Sequence, residues 1–200
     1  MEALAFYIIF IPILLISITI HEFAHAFAAD RLGDPTPRLA GRLTLNPINH
    51  IDPIGFLMLL IIHIGWAKPV PINPYNFKNP RSGMVITGLA GPISNFIFAW
   101  MLVVCLKTIP ILSGLVIELL QLAIWINLAL IVFNLLPIPP LDGSRIFSPF
   151  LPVEVQINLE RYGFIILIAI LLFPGTSGLI VYLIQIFYNL LTSFSFASIL

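Results

Sequence analysis

The feature that most constrains this chain is an apolar run near its start, because two histidines and a glutamate follow it without a break. No charged residue occurs between Ala3 and Ile20, and His21-Glu22-Phe23-Ala24-His25 comes directly after. A run of this length predicts a membrane-spanning helix. An ionisable side chain inside such a helix is costly, so its presence indicates a functional site.

The pattern H-E-x-x-H predicts a metal site. Two imidazoles four residues apart lie on one face of a helix, where His21 and His25 can bind a single Zn²⁺. Glu22 lies between them and is placed to act as general base on an attacking water. The alternative is a pair of hydrogen-bonded histidines in a proton path. The glutamate and the apolar setting favour the metal site.

The composition indicates one membrane-embedded domain over residues 1–200. Hydrophobic residues make up 60% of the chain and charged residues 9%, and the mean hydropathy is +1.07. So few charges cannot cover the surface of a soluble protein. The formal net charge is zero, so no nucleic-acid partner is expected. A single cysteine, Cys105, excludes an intrachain disulfide and a cysteine-rich metal site.

The pattern along the chain predicts an all-α polytopic fold. We expect about five spanning helices, a short re-entrant or interfacial segment, and a small β hairpin or strand near the cytoplasmic face. The predicted helices cover about 3–32, 81–107, 113–136, 153–173 and 179–192. The alternation over 36–46 predicts a strand, or a hairpin turning at Ala40-Gly41. Residues about 3–147 would form the catalytic core, and the helices over about 153–193 would be accessory.

The apolar segment 51–65 decides the topology. About fifteen residues are too few to cross the hydrocarbon core comfortably, so we expect the segment to return to its own side. Lys107 then lies at one face of the membrane, and eight basic residues lie at the other: Arg31, Arg38, Arg42, Lys68, Lys78, Arg81, Arg145 and Arg161. The excess of positive charge makes that second face cytoplasmic and places the N-terminus outside.

A third metal ligand is needed, because catalytic Zn²⁺ usually takes three protein ligands. Asp142 is the best candidate, since it follows a proline-ended apolar helix on the same face as His25. A capping role for a helix starting at Gly143 is equally compatible with its position. Three other aspartates compete for the role: Asp30, Asp34 and Asp52.

Two further sites are predicted near these residues. Asn134 can donate N–H groups to a developing oxyanion, although a helix–helix hydrogen bond would also explain it. The stretch Gly41-Arg42-Leu43-Thr44 could bind an unwound substrate by edge pairing, with Gly41 allowing a close backbone approach.

With these motifs in place, the chain resembles the site-2 protease family of intramembrane zinc metalloproteases, in its compact prokaryotic branch. The resemblance rests on H-E-F-A-H, G-L-A-G-P-I-S-N and N-L-L-P-I-P-P-L-D-G, and it covers about residues 17–147. It implies one Zn²⁺ bound by His21, His25 and Asp142. It also implies Glu22 as catalytic acid and base, and Asn134 as a residue that positions substrate or stabilises the oxyanion.

The expected function is therefore hydrolysis of peptide bonds in transmembrane or membrane-embedded proteins, near the cytoplasmic leaflet of a prokaryotic cell membrane. The expected partners are such a protein substrate and the lipid bilayer. The alternatives are a metal-binding pseudoprotease and a proton or metal transporter that uses the same polar cluster. A transporter would show polar residues through the whole membrane depth or inverted repeats. Here the polar residues cluster near one face.

Overall fold

The computed structural model describes residues 2–63, 65–109, 111 and 113–193, and helices dominate this part of the chain. The α-helices are α1 (Glu2–Arg31), α2 (Thr36–Leu39), α3 (Pro53–Ile62), α4 (Pro80–Thr108), α5 (Gly114–Asn134), α6 (Asp142–Phe147), α7 (Val153–Leu172) and α8 (Pro174–Ser193). Short 3-10 helices cover Pro47–His50, Pro74–Asn76 and Ser148–Phe150.

Four helices in the described part of the chain are long and apolar enough to cross a membrane: α1, α4, α5 and α7. The all-α polytopic prediction is confirmed, with four candidate spans instead of about five. The apolar stretch Gly178–Ser193 in α8 is shorter than a span. Counted from its first residue, α8 has 20 residues, as many as α7. The last helix begins at Pro174, five residues before its predicted start.

The predicted β hairpin over 36–46 is wrong. Thr36–Leu39 form a helical turn, and the N–H of Arg42 donates back to the carbonyl of Pro37 at 2.8 Å. The carboxylate of Asp34 accepts from the backbone N–H of Thr36 at 3.1 Å, which fixes the start of the turn. Backbone groups that a hairpin would pair are thus already used locally. Among the described residues, β pairing is confined to one isolated antiparallel bridge between Ile51 and Ala67.

That bridge closes the segment predicted to be re-entrant. Asp52 caps α3 by accepting from the N–H of Gly55 at 2.8 Å, and α3 is only 10 residues long. The chain then comes back, so that Ala67 pairs with Ile51 and the N–H of Lys68 donates to the carbonyl of His50 at 2.9 Å. The two ends of the segment therefore lie side by side, as expected for a segment that returns to its own side.

Helix α4 organises the core because its contacts with α1 and α5 are the most extensive between any two elements among the described residues. Its buried face is made mainly of small residues, which allow helix axes to approach closely in lipid. These buried residues are Gly83, Thr87, Gly88, Gly91, Pro92, Asn95, Ala99 and Val103. Helix α6 also packs on α4, and this contact brings the segment after α5 back towards α1.

Candidate metal centre

Two histidines of α1 and one aspartate of α6 meet inside the helix bundle. The Nε2 atoms of His21 and His25 are 3.0 Å apart, and Oδ2 of Asp142 lies 2.9 Å from the first and 3.0 Å from the second. All three residues are buried, with exposed fractions of 5%, 2% and 6%. In the described chain they form the one group of this kind that could hold a metal ion.

The outer nitrogens of both rings are held by acceptors. Nδ1 of His25 lies 2.7 Å from the backbone carbonyl of Thr87, and Nδ1 of His21 lies 2.8 Å from Oδ1 of Asn95. An oxygen of this kind only accepts, so each neutral ring carries its hydrogen on Nδ1 and a lone pair on Nε2. Two lone pairs and a carboxylate then converge on one point. A divalent cation stabilises such an arrangement, so the residues fit zinc.

Asp142 is held as an anion in this site. Burial raises the pKa of its carboxyl, but the positive charges that His25 and His21 carry when no metal is bound, and the hydrogen bonds that the charged rings donate, lower it by more, to well below its usual value. Its other oxygen lies 3.9 Å from Nη1 of Arg145. When a metal binds, it displaces the protons that the histidines would otherwise carry.

Gly91 provides the space in which the histidine rings lie. A Cβ atom at this position would be 2.4 Å from Nε2 of His25 and 2.6 Å from Nε2 of His21. No side chain fits there without moving the rings. The sequence places Gly91 on the small-residue face of α4, but nothing in it indicates that this glycine faces the histidines.

Glu22 lies between the two histidines and is half-buried. No hydrogen bond or ion pair holds its carboxylate among the described residues. Its charge acts on Arg42. Burial lowers the pKa of the Arg42 guanidinium, and the negative charge of Glu22 partly offsets this lowering. The carboxylate is therefore unengaged and next to the metal ligands.

Asn134 does not contact the cluster. Its side-chain N–H donates to the carbonyl of Leu130, one turn earlier in α5, at 3.0 Å. This is neither the oxyanion contact nor the helix–helix bond that the sequence suggested. A primary amide has a second N–H, which remains available for substrate.

The predicted substrate segment, Gly41 to Thr44, lies in an irregular loop. The loop is next to the returning segment 51–67, which contains α3. The Arg42 side chain is 3% exposed and donates to the backbone carbonyls of Asn49, at 2.5 Å, and of Lys68. It therefore joins two loops instead of reaching outwards. Gly41 is exposed, whereas Leu43 and Thr44 are half-buried. A cavity of about 280 Å³ opens here, lined by Ala40, Gly41, Arg42, Ile48, Asn49, Ile51 and Lys68.

Sequence reasoning missed one residue that the structure connects to the cluster. Asn127 of α5 is fully buried and accepts from Nδ2 of Asn95 at 2.9 Å. The available signal is that Asn127 is a polar residue in the middle of an apolar span, where such residues are costly.

Comparison with known proteins identifies one protein family and several related sequences. Residues 110–174 match Peptidase family M50. YwhC of Bacillus subtilis, named as a candidate zinc metalloprotease, is 43% identical over 172 residues, which are 80% of this chain and 78% of YwhC. Rip2 of Mycobacterium tuberculosis, named in the same way, is 34% identical over 175 residues, 82% of this chain and 66% of Rip2.

A more distant relative is MJ0392 of Methanocaldococcus jannaschii, named a zinc metalloprotease. It is 25% identical over 161 residues, which are 80% of this chain and 37% of MJ0392. No solved structure matches the chain.

Proposed function

Because the chain belongs to peptidase family M50, whose members include the site-2 proteases, we propose that this zinc metalloprotease cleaves membrane-embedded proteins near the cytoplasmic leaflet. The observation that carries the proposal is the meeting of three ligand atoms inside an apolar bundle. Two are Nε2 atoms of α1 and the third is a carboxylate oxygen of α6.

His21, His25 and Asp142 would hold one zinc ion. Three protein ligands are the number that catalytic zinc sites use, which leaves room for water and substrate. When bound, zinc supplies a positive charge that polarises the scissile carbonyl and makes a water molecule more acidic. The outer contacts of the histidines, to Asn95 and the carbonyl of Thr87, keep both Nε2 atoms directed at the ion.

Glu22 acts as general base and then as general acid. It is adjacent to His21, and it has no hydrogen bond in the described chain to compete with a water molecule. It takes a proton from the attacking water and gives it to the leaving amine. Asn134 donates its free N–H to the oxyanion that develops on the substrate carbonyl. Asn134 does not contact the three metal ligands. For this role, the substrate must therefore bind close to the end of α5.

The substrate is a membrane-embedded segment that has locally unwound. Backbone groups of an intact helix are bonded internally, so a helical peptide bond is not accessible to attack. Gly41 and Arg42 line the open cavity, Leu43 and Thr44 follow them in the loop, and Arg42 lies near Glu22. An unwound substrate could pair with the backbone there.

Cleavage would occur near the cytoplasmic leaflet. His25 lies six residues before Arg31, about 9 Å along the axis at 1.5 Å per residue. The return of residues 51–67 to their own side supports the topology in which eight of nine basic residues share the face of Arg31. A second cavity of about 500 Å³ lies between the start of α4, the Pro137–Pro140 loop, α6 and α7, and it is bordered by Arg145, which lies 3.9 Å from Asp142. We propose that water enters from that side.

Reconstitution into lipid vesicles tests the proposal. We would measure zinc content and cleavage of fluorescent single-span peptides that carry a glycine or proline near their cytoplasmic end. The wild type should bind one zinc and cleave the peptides. Glu22→Gln should bind zinc equally but lose cleavage by about 10²-fold or more, the contribution expected of a general base.

Other outcomes separate the alternatives. Equal cleavage by wild type and Glu22→Gln would end the protease mechanism given above. Zinc binding without cleavage in the wild type would indicate a pseudoprotease. Uptake of protons or zinc into vesicles that depends on His21 and Asp142 would indicate a transporter.

A further inference from the structure

A chain of buried hydrogen bonds leads from His21 through α4 and α5 and back to α1. Nδ1 of His21 contacts Oδ1 of Asn95 at 2.8 Å, and Nδ2 of Asn95 contacts Oδ1 of Asn127 at 2.9 Å. Nδ2 of Asn127 then contacts Oγ of Ser17 at 3.0 Å. Asn95, Asn127 and Ser17 are all 0% exposed. Three helices thus contribute to a polar network that water does not reach.

Two backbone carbonyls fix the direction of this chain. Ser17 Oγ lies 2.9 Å from the carbonyl of Ile13, and the Asn127 amide lies 2.8 Å from the carbonyl of Ala123. A carbonyl only accepts, so the Asn127 atom facing Ala123 must be its NH₂ group, and the hydroxyl hydrogen of Ser17 must point to Ile13. The second N–H of Asn127 then donates to Ser17.

The same argument gives the position of the hydrogen on His21, the proposed metal ligand. With its NH₂ group on Ser17 and Ala123, Asn127 presents its oxygen to Asn95. Asn95 must therefore turn its own NH₂ group to Asn127 and its oxygen to His21. That oxygen accepts from Nδ1 of His21, and Nε2 of the neutral ring is left with its lone pair.

The two histidines are oriented in different ways. Nδ1 of His25 donates to the backbone carbonyl of Thr87, which cannot reverse its role. His21 instead faces a side-chain amide, and an amide can exchange donor and acceptor by turning over. In the turned state Asn95 would donate to Nδ1 of His21, and the ring hydrogen would move to Nε2, against His25 and Asp142.

We propose that Asn127 is a positioning residue that prevents this reversal. By holding Asn95 in one orientation, it keeps His21 in the Nδ1–H tautomer and directs its Nε2 lone pair to the metal. The inference rests on the proposed function only in taking His21 as a zinc ligand. Residues that orient histidine ligands typically change metal affinity by about 10- to 100-fold when they are replaced.

The test compares the purified full chain with Asn127→Leu, which has a similar size and no polar atoms. Zinc affinity is measured by chelator competition, and nitrogen-15 NMR of the metal-free protein, at a pH high enough that both rings are neutral, reports the tautomer of each histidine. The variant should bind zinc about 10- to 100-fold more weakly. It should also show one histidine in both tautomers, while His25 keeps the Nδ1–H form.

Two further variants supply the rescue and the matched control. Asn127→Asp, which burial keeps protonated, retains an oxygen that accepts from Asn95 and an O–H that can donate to the carbonyl of Ala123, so it should keep the wild-type tautomer and most of the zinc affinity. Thr19→Val removes a buried hydroxyl of α1 that donates only to the carbonyl of Leu15, at 2.6 Å. It lies outside the network and should leave both measurements unchanged.

If Asn127→Leu does not fold, as judged by thermal unfolding, Asn127→Ser takes its place. Its hydroxyl can bond back to Ala123 but is too short to reach Asn95. A folded variant with wild-type zinc affinity would overturn the proposal. Weaker zinc binding with an unchanged tautomer would overturn it as well, because it would indicate a packing role only. Failure of the wild type to bind zinc would count against the proposed function instead.

Discussion

At the scale of single residues, the contact between Gly91 and the two histidine rings makes a sharp prediction. Gly91→Ala adds one methyl group 2.4 Å from Nε2 of His25. Since alanine favours a helix over glycine by up to about 1 kcal/mol, the helix itself should not suffer. We expect zinc affinity to fall at least about 10-fold, as for other changes that displace a ligand ring. Zinc titration of the purified variant measures this.

Gly114→Ala is the matched control, because nothing lies within 4 Å of a Cβ atom at that position. It should bind zinc as the wild type does. If Gly91→Ala also bound zinc normally, the rings would have room that the structure does not show, and the described geometry would be wrong.

At the scale of elements, Asp34 joins the end of α1 to the loop before α4. It is 0% exposed and accepts from Thr36, from the N–H of Asn73 at 2.8 Å and from Nδ2 of Asn76 at 2.7 Å. Burial raises the pKa of its carboxyl, but the hydrogen bonds from Thr36, Asn76 and Asn73 outweigh this and lower it. One carboxylate therefore holds the loop that contains Asn73 and Asn76 to the end of α1.

The direction of this shift gives a pH dependence. Because the pKa of Asp34 is lower in the folded state, its stabilisation is complete above the unfolded pKa of about 3.9 and is lost as the pH falls towards the folded pKa. Asp34→Asn should lower the free energy of unfolding at pH 7 by about 1–3 kcal/mol. It should also make the melting temperature less sensitive to acid below about pH 4.

Melting curves of the detergent-solubilised protein between pH 3 and pH 7 provide the measurement. Glu154→Gln, which neutralises an exposed acid in the first turn of α7, is the control and should retain the wild-type pH profile. An Asp34→Asn protein with unchanged melting at pH 7 would show that the four hydrogen bonds contribute no net stability.

How much of these elements the sequence can predict depends on the range of the interactions. That His21 and His25 share one helix face can be predicted from the helical period alone. That the short segment before Lys68 does not cross the membrane can be predicted from its length and the membrane thickness. The hairpin prediction failed because alternation says nothing about whether a partner strand exists. The roles of Gly91 and Asn127 depend on contacts between helices far apart in sequence, so no local pattern reveals them.

At the scale of the whole molecule, the proposed zinc ion joins parts of the chain that are distant in sequence. His25 and Asp142 are 117 residues apart, and they come from α1 and α6. Zinc should therefore stabilise the fold, by about 2.7 kcal/mol when its free concentration is 100 times its Kd. We expect a chelator to lower the melting temperature of the wild type and of Glu22→Gln. Asp142→Asn should show almost no such shift, and an equal shift in this variant would argue against Asp142 as a ligand.

The orientation of the molecule in the membrane can be tested at two exposed loop positions that lie on either side of α4. Tyr75 is 91% exposed and Ile111 is 92% exposed, and the 29 residues of α4 separate them by about 43 Å at 1.5 Å per residue. The excess of basic residues around Tyr75 predicts that its loop is cytoplasmic and that Ile111 faces outside.

Single-cysteine variants in a Cys105→Ala background, labelled with an impermeant maleimide, report the side directly. Tyr75→Cys should react only in inverted vesicles, and Ile111→Cys only in right-side-out vesicles. The reverse pattern would place the metal site at the outer leaflet and would rule out cleavage near the cytoplasm. Labelling of both positions from one side would mean that α4 does not cross the membrane. Asp142 and the histidines would then still meet as the structure shows, but water would have to reach them by another route.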